Sequence, residues 1–397
     1  MVTKLITNLR LSIRVEYVVF GVTLFICGCR KANKPALFSA TPTSFGQVFK
    51  SYWSQMNENY VYWDIDTTNW GRVYKRYMPL FNNLKLNSQA DQKTSLRYFR
   101  EITGGMIDSH YSITFNSSYL NGSNIYPALD RKVLRSTFHS PFIYTTKDTA
   151  YLNGGYSAGF YITKSNQRLL VLSGVIDSTI LYFQSNSFAL NEAFYSATQN
   201  TAKHTLQFFF DSLKRPKSKL KEIIIDLRNN SGGNLEDLSF LVGQFINKPL
   251  KFGYSRYKNG PGRLNFTSWI DAAVTPFSLS SAVSLSKIPI VILTDNYTIS
   301  LAEAIAMSLH CLPYSRIVGD TTWGATGPIT EHYLYNDGPF VVPGFLSVVT
   351  SSAEFKYIDG KSYEGKGFPP DIRIHVDPSI LNAGRDQILE TAIHLIE

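Results

Sequence analysis

The sequence predicts an α/β protein with a helical region towards its N-terminus, and three observations support this fold class. From residue 168 onwards, short and continuously apolar segments alternate with segments of helical spacing, as in a mainly parallel sheet covered by helices on both faces. Residues 45–104 carry apolar and aromatic residues at helical spacing. The 397 residues are 44% hydrophobic and 14% aromatic, which is enough for two domains with sizeable cores.

The chain begins with a segment typical of an export signal. Three basic residues precede an apolar stretch of eleven residues, 18–28, which is shorter than the about 20 residues that span a membrane. The letters ICGC at residues 26–29 resemble the lipobox at which bacterial lipoproteins are cleaved and acylated. We expect residues 1–29 to be a lipoprotein signal peptide with Cys29 as the acylation site. An ordinary secretory peptide with incidental cysteines is the alternative.

This signal predicts a location in the cell envelope, with the protein lipid-anchored to a bacterial membrane and facing the periplasm or the exterior. The cysteines agree with this address. After cleavage only Cys29 and Cys311 would remain, and an acylated Cys29 would leave no partner for a disulfide.

The distribution of charge along the chain argues against a nucleic-acid partner. The formal charge is +9, but the basic residues are spread thinly and form no aromatic-interleaved stripe of the kind that binds nucleic acid. No nucleic-acid partner is expected.

The rest of the chain divides into four parts by composition. Residues 30–44 are a linker rich in Ser, Thr and Pro, and residues 45–110 are a small helical domain with an aromatic core. Residues 111–167 have Asn/Ser/Gly runs that indicate short strands and loops. The core spans residues 168–397.

Six segments carry the α/β pattern of the core. They are the strand RLLVLSGV (168–175), a helical stretch (189–213), the strand EIIIDL (222–227), the helix LEDLSFLVGQFI (235–246), the strand IPIVILTD (288–295) and the helix LAEAIAMSLH (301–310).

Ser300 lies where an apolar strand turns into a helix. The pattern Ser300-x-x-Glu303 is a capping box, in which the serine satisfies a backbone N–H. A hydroxyl at a helix N-terminus also lies beside free N–H groups that can stabilise an oxyanion. That second interpretation needs a base and another oxyanion donor from elsewhere in the chain.

The segment DLRNNSGG (226–233) could supply that donor. It follows a strand and precedes a helix, and its paired glycines let the backbone approach a ligand closely. An ordinary loop and a phosphate cradle are the alternatives. The Lys-Ser/Thr ending of a phosphate loop is absent.

Several motifs, taken in order, resemble those of the tail-specific (C-terminal processing) serine proteases. DLRNNSGG is similar to the family's D-x-R-x-N-x-G-G element, and TDNYTISLAEA (294–304) is similar to its nucleophile segment. Four further motifs occur in the family's order: GMIDSH (105–110) for the D-x-H element, GDTTWG (319–324) for a glycine-threonine segment, YEGKGFPPD (363–371) for the G-x-x-P-D element and GRDQILETAI (384–393) for the closing helix.

The resemblance implies a triad rather than a Ser-Lys dyad. Many members place a lysine after the nucleophile, but no lysine occurs from residue 288 to 355. The branch that resembles the tricorn protease core uses a histidine of the D-x-H element and a glutamate before the G-x-x-P-D element. Those positions hold His110 and Glu364, which the resemblance pairs with Ser300 as base, orienting carboxylate and nucleophile. His332 is the alternative base.

The family likeness implies the oxyanion donors, and the spacing of cysteine and histidine residues argues against a metal site. The backbone N–H groups of Gly232 or Gly233 and of Leu301 are expected to hold the oxyanion. No cysteine–histidine cluster has metal-ligand spacing, so neither a metal nor an organic cofactor is expected.

The fold implied is a crotonase-like (ClpP/crotonase) spiral α/β core behind the helical domain. Many members carry a PDZ module after the D-x-H element, but residues 111–167 are too few for a complete one. The expected function is therefore a serine endopeptidase that cleaves peptides or unfolded proteins captured in the cleft itself. A catalytically inactive lipoprotein of the same fold that binds peptides or other ligands is the alternative.

Overall fold

The computed structural model describes residues 40–135, 138–144, 149–214, 220–277, 288–330, 336 and 338–395. The predicted signal peptide, Cys29, most of the predicted linker and His332 lie outside these residues. Within the described ranges, no helix is both long enough and apolar enough to cross a membrane.

Three helices open the described chain, as the helical spacing predicts: α1 (Phe45–Asn59), α2 (Trp70–Asn82) and α3 (Gln89–Thr103). Each begins where the side chain of Ser44, Asn69 or Ser88 accepts a hydrogen bond from a backbone N–H of the first turn. The predicted aromatic core is present, with stacked and edge-on contacts among these buried rings: Phe49, Tyr52, Trp70, Phe81 and Phe99.

A small antiparallel sheet shares this aromatic core. Its strands are β1 (Ser112–Phe115), β2 (Asn124–Ile125), β11 (Phe340–Val342) and β12 (Leu346–Val349), in the order β11-β12-β1-β2. Their apolar side chains pack with those of the three helices. The helical region is therefore completed by a hairpin that comes from more than 200 residues further along the chain, a pairing that local sequence patterns do not contain.

The larger sheet has seven strands and is mainly parallel, as predicted. Its strands are β3 (Tyr156–Ile162), β4 (Arg168–Ile176), β5 (Ile180–Ser185), β6 (Glu222–Asp226), β9 (Ile290–Thr294), β10 (Ser315–Gly319) and β14 (Ile372–Arg373). They lie in the order β14-β10-β9-β6-β5-β4-β3. Strands β5, β6, β9, β10 and β14 run parallel, and β3 and β4 are antiparallel additions at one edge.

Helices cover both faces of this sheet. One face packs against α5 (Leu190–Tyr195), α6 (Thr201–Leu213), α7 (Glu236–Val242) and α8 (Leu301–His310). Two further helices follow near the C-terminus, α9 (Pro378–Asn382) and α10 (Gln387–His394), and α10 packs on the other face. The stretch predicted as one helix over 189–213 is two, because the chain is extended at Ser196 and Asn200 caps a new helix.

The stretch 111–167 contains short strands and loops, as predicted, and contributes to both sheets. Its first strands, β1 and β2, join the small sheet, and β3 joins the large one. Between them lies the short helix α4 (Pro127–Lys132). A third, three-stranded antiparallel sheet is formed by β7 (Leu250–Tyr257), β8 (Ile270–Val274) and β13 (Ala353–Tyr357).

Candidate active site

The turn between β9 and α8 holds Ser300 in a strained conformation. Its backbone angles are φ 59° and ψ −119°, a region that costs a non-glycine residue about 1–3 kcal/mol. The turn is fixed by Asp295, whose Oδ1 accepts the N–H of Tyr297 at 2.9 Å, and by Thr298, whose hydroxyl donates to the carbonyl of Leu227 at 2.9 Å. A sharp, strained strand-to-helix turn is a geometry that exposes a nucleophilic hydroxyl.

The double-glycine loop after β6 packs directly against this turn. A Cβ atom on Gly232 would lie 2.8 Å from the Cβ of Ser300 and 2.9 Å from the amide nitrogen of Leu301. A Cβ atom on Gly233 would lie 2.1 Å from the carbonyl oxygen of Phe188. Both glycines also have positive φ, 84° and 150°. Only glycine allows the two loops to approach this closely.

His110 reaches the nucleophile turn from the helical side of the molecule. Its Nε2 atom lies 2.9 Å from Oγ of Ser300, across 190 residues of sequence. Burial lowers the pKa of His110, while the negative charge of Asp108 opposes that shift. The imidazole is therefore neutral near pH 7 and can accept the hydroxyl proton.

Two buried carboxylates hold the loop that carries His110. Asp108 accepts the N–H of His110 at 2.9 Å and, with its other oxygen, the hydroxyl of Thr350 at 2.6 Å and the N–H of Ser351 at 2.8 Å. Oε1 of Glu364 accepts the N–H of Ser109 at 2.7 Å. The loop is thereby tied both to the segment after β12 and to the segment after β13.

Glu364 lies beside the site, but it makes no hydrogen bond to the imidazole ring of the kind expected of an orienting carboxylate. Its Oε2 atom accepts hydrogen bonds from the hydroxyl of Tyr62, from the N–H and hydroxyl of Thr326 and from the N–H of Gly327. Nδ1 of His110 is buried and has no hydrogen-bond partner within the described part of the chain. The direct carboxylate–imidazole bond expected from the family likeness is therefore absent from this geometry, because Glu364 is turned towards backbone donors.

The electrostatics of Glu364 reflect its burial. Burial raises the pKa of this carboxyl and the charge of Asp108 adds to the effect, whereas the N–H groups of Ser109 and Gly327 lower it. The net effect raises the pKa of Glu364 to about 8, although every hydrogen-bonding neighbour named above is a donor and so opposes that shift.

Glu303 makes one of the capping-box hydrogen bonds to Ser300 and also binds the glycine-threonine segment. Its Oε2 atom accepts the N–H of Ser300 at 3.1 Å and the N–H of Ala325 at 2.7 Å. Its Oε1 atom accepts the N–H of Gly324 at 2.7 Å. The glutamate thus fastens the turn of Ser300 to the glycine-threonine segment, and burial raises its pKa.

The predicted oxyanion donors differ in whether they are free. The N–H of Gly232 donates to Oδ1 of Asn230 at 2.9 Å. The N–H groups of Gly233 and Leu301 have no hydrogen-bond partner among the described residues. The geometry therefore leaves Gly233, rather than Gly232, to act together with Leu301.

Local sequence patterns miss three groups that shape this site. Asn230 orders the glycine loop by donating from its side chain to the carbonyl of Ser185 at 2.7 Å. Tyr62 binds Glu364, and the ammonium of Lys132 donates to the carbonyl of Trp323 at 2.5 Å. Burial lowers the pKa of Lys132 to about 8. The asparagine of D-x-R-x-N could have been identified from the motif, but Tyr62 and Lys132 carry no local signal.

Comparison with known proteins decides the family. The model of peptidase family S41 matches residues 179–374, and the model of the tricorn protease C1 domain matches residues 41–89. The first stretch contains the glycine loop, Ser300 and Glu364, the second lies in the helical region, and His110 falls between them. The part of the chain from residue 179 to residue 374 belongs to the tail-specific S41 peptidase family.

Relatives of this S41 chain support the assignment. The carboxy-terminal processing protease CtpA of Bacillus subtilis is 29% identical over 178 residues, which is 45% of this chain and 33% of the relative. The corresponding protease CtpB of the same organism is 24% identical over 197 residues, 49% of this chain and 36% of the relative. The chain thus spans about a third of the length of the curated relatives it matches.

Solved structures share the fold of this S41 chain. A protein of Parabacteroides merdae ATCC 43184, provisionally named a peptidase, superposes with a TM-score of 0.65 at 22% identity, over 89% of this chain and 97% of that one. Mature CPAF superposes with a TM-score of 0.56 at 12% identity, over 86% and 94% of the two chains. Both likenesses establish a mixed α/β fold with a helical N-terminal region.

Proposed function

We propose that the protein is a serine endopeptidase that hydrolyses peptide bonds in peptides or unfolded proteins through an acyl-enzyme at Ser300. The observation that carries this proposal is the 2.9 Å separation between Oγ of Ser300 and Nε2 of His110 at a strained strand-to-helix turn. Membership of the S41 family supports the reaction class.

The proposed reaction begins with proton transfer. Neutral His110 takes the proton of Ser300 as Oγ bonds to the carbonyl carbon of the substrate, and the carbonyl oxygen becomes an oxyanion. The imidazolium then gives that proton to the departing amine as the C–N bond breaks, which leaves the acyl-enzyme. Water attacks the ester by the same route, with His110 again as base, and releases the acid and the free serine.

The oxyanion is proposed to accept hydrogen bonds from the N–H groups of Gly233 and Leu301. Both are free of other partners among the described residues, and the close packing of Gly232 on Ser300 keeps their two loops together. Loss of one such donor typically lowers turnover about 100- to 1,000-fold.

In this mechanism Glu364 and Asp108 act on His110 through the backbone. Their bonds to the N–H groups of Ser109 and His110, at 2.7 and 2.9 Å, hold the ring opposite the hydroxyl. The negative charge of Asp108 favours the imidazolium that forms during acylation. We therefore assign Glu364 a positioning role in place of a hydrogen bond to Nδ1.

The competing proposal is an inactive binding lipoprotein of the same fold. A histidine and a serine beyond hydrogen-bond reach would favour it. The observed separation favours the enzyme.

The proposed envelope location rests on the sequence of residues 1–29, with Cys29 as the lipid attachment. A crotonase-like spiral arrangement of the core likewise remains a proposal, supported by the α/β fold and the ordered family motifs.

The test of the enzyme proposal uses protein that lacks residues 1–29 and an unfolded substrate such as casein, with products identified by mass spectrometry. We expect internal cleavage by the wild type and none by Ser300→Ala or His110→Ala. A serine-directed phosphonate should label the wild type stoichiometrically, and Ser300→Ala should remain unlabelled. A folded wild type that neither cleaves nor reacts would contradict the proposal.

A further inference from the structure

The chain segment after β2 leaves six large apolar side chains exposed to solvent. Monomeric proteins rarely expose contiguous apolar patches without a function for them. The first three lie at helical spacing along one face of α4 and the turn that follows it. We call the set the apolar rim: Tyr126, Leu129, Val133, Leu134, Phe138 and Ile143.

A neighbouring face of α4 is fastened to the candidate active site. Lys132 is buried, and its ammonium donates to the carbonyl of Trp323 at 2.5 Å and lies 4.2 Å from the centre of the indole ring. The N–H of Trp323 donates at 2.9 Å to the carbonyl of Thr298, two residues before Ser300. α4, which carries the rim, is therefore linked to the nucleophile turn through Trp323.

The rest of the segment contacts the other loops of the site. Arg131 donates to the carbonyl of Gly104 at 2.7 Å, in the turn that leads to His110. The hydroxyl of Tyr297 donates to the carbonyl of His139, and the side-chain amide of Asn229 donates to the carbonyl of Phe142. The segment thus touches the histidine loop, the nucleophile turn and the glycine loop.

We propose that the apolar rim is a docking surface for unfolded polypeptide, which holds apolar stretches of a substrate while another stretch of the same chain reaches Ser300. The inference rests on the proposed peptidase function and names how its substrate is captured. Continuity with the three loops of the site places the docked chain within reach of the cleft. Arg131 and Arg135 belong to the same segment of chain, and their positive charges favour substrate stretches that also carry acidic residues.

The protein supplies a matched control surface at the far edge of the large sheet. Leu170 on β4 is 40% exposed against 38% for Leu129, and Ile162 on β3 is 46% exposed, as is Val133. β4 and β3 lie three and four strands from β9, the strand that leads to Ser300, which is roughly 14–19 Å at the usual strand spacing. The two pairs therefore match in exposure and differ in distance from the site.

The first measurement is binding without turnover. In a Ser300→Ala background, fluorescence anisotropy with labelled, unfolded, acidic casein should give a Kd that rises at least about fivefold for Leu129→Gln with Val133→Gln. The control pair, Leu170→Gln with Ile162→Gln, should change Kd less than about twofold. Equal effects from both pairs, or no effect from the rim pair, would overturn the proposal.

The second measurement separates docking from catalysis. With Ser300 present, the ratio of kcat/KM for casein to kcat/KM for a six-residue fluorogenic peptide should fall in the rim pair and not in the control pair. An unchanged ratio would contradict docking. If neither the wild type nor any variant cleaved either substrate, the peptidase proposal would fail. The binding measurement would still show whether the apolar rim binds unfolded polypeptide.

The same variants also test two other possible partners of the apolar rim. Co-sedimentation with phosphatidylglycerol vesicles that the rim pair abolishes, with casein binding unaffected, would assign the surface to a membrane and overturn the proposal. A dimer in analytical ultracentrifugation that the rim pair converts to a monomer would assign it to a second copy, with the same consequence.

Discussion

The guanidinium of Arg228 joins the glycine loop of the site to the first turn of the C-terminal helix α10. Its Nη1 atom lies 2.9 and 2.7 Å from the two carboxylate oxygens of Asp386, while its Nε atom lies 2.9 Å from the carboxylate of Asp226. All three side chains are at most 1% exposed. Because Arg228 precedes Asn230 and the double glycine, the position of the oxyanion donors depends on the first turn of a helix 158 residues further along the chain.

We predict that Asp386→Asn lowers kcat by about 10- to 100-fold with little change in KM, since small misplacements of reacting groups have effects of that size. Removing the charge from a buried pair should also reduce the free energy of unfolding, by up to about 3–5 kcal/mol. Steady-state kinetics on a short peptide and urea unfolding measure the two effects.

The matched control is Asp377→Asn. Asp377 caps the neighbouring helix α9 through the N–H of Ser379 at 2.8 Å, but it is exposed. Asparagine is an equally good N-cap, so this substitution removes a charge without removing the cap and should leave kcat unchanged. A normal kcat in folded Asp386→Asn would show that the ion pair stabilises the fold without setting the site.

The second prediction concerns Glu364. In Glu364→Gln an amide replaces a carboxylate whose two oxygens both accept backbone N–H groups. In either orientation the NH2 of the amide would face a backbone N–H, and at least one hydrogen bond would be lost. The loop of His110 should shift, and the rate of phosphonate labelling should fall about 100-fold. Glu354→Gln, which changes a buried carboxylate paired with Arg256, is the control and should label at the wild-type rate. Equal labelling of both variants would contradict the positioning role.

The third prediction is the pH dependence of acylation. Burial lowers the pKa of His110 below 6.5, and the base must be neutral. The labelling rate should therefore rise with pH, with a midpoint below 6.5, and be constant around pH 7. A stopped-flow profile from pH 4.5 to 8 measures the midpoint. A midpoint above 6.5 would mean that the nearby carboxylates outweigh burial.

The fourth prediction concerns stability at a distance from the site. Glu222 is fully buried at the start of β6, both carboxylate oxygens lack a partner within the described ranges, and burial raises its pKa to about 8. The folded protein keeps the proton while the unfolded chain releases it above its ordinary value, so stability falls as pH rises from about 4.5 to about 8.

Glu222→Gln removes this penalty. The variant should gain unfolding free energy, by an amount on the order of a few kcal/mol at pH 8.5 and less at pH 5.5. Urea titrations at the two pH values measure the gain. The exposed Glu236→Gln should show no such difference, and a gain independent of pH would contradict the titration of Glu222.

Local patterns predicted much of the fold because they record which face of each element is buried. The strand preceding Asp226, the strand preceding Asp295 and the helix after Ser300 follow directly from apolar runs and spacing. The break between α5 and α6 was missed, although the polar run SATQN at residues 196–200 marks it. The small sheet was missed because its two hairpins come from distant parts of the chain and depend on pairing rather than on local composition.

By itself the sequence determined the alternating strands and helices that lead to Ser300 and the residue types at the site. Ser300, His110 and the double glycine could be named in advance because motif order and residue chemistry are local properties. Only the tertiary structure decided which donors are free and which atoms meet. The N–H of Gly232 already donates to the side chain of Asn230, and Glu364 faces backbone N–H groups instead of the imidazole. Hydrogen bonds depend on distance and direction, and these depend on how separate segments of the chain pack.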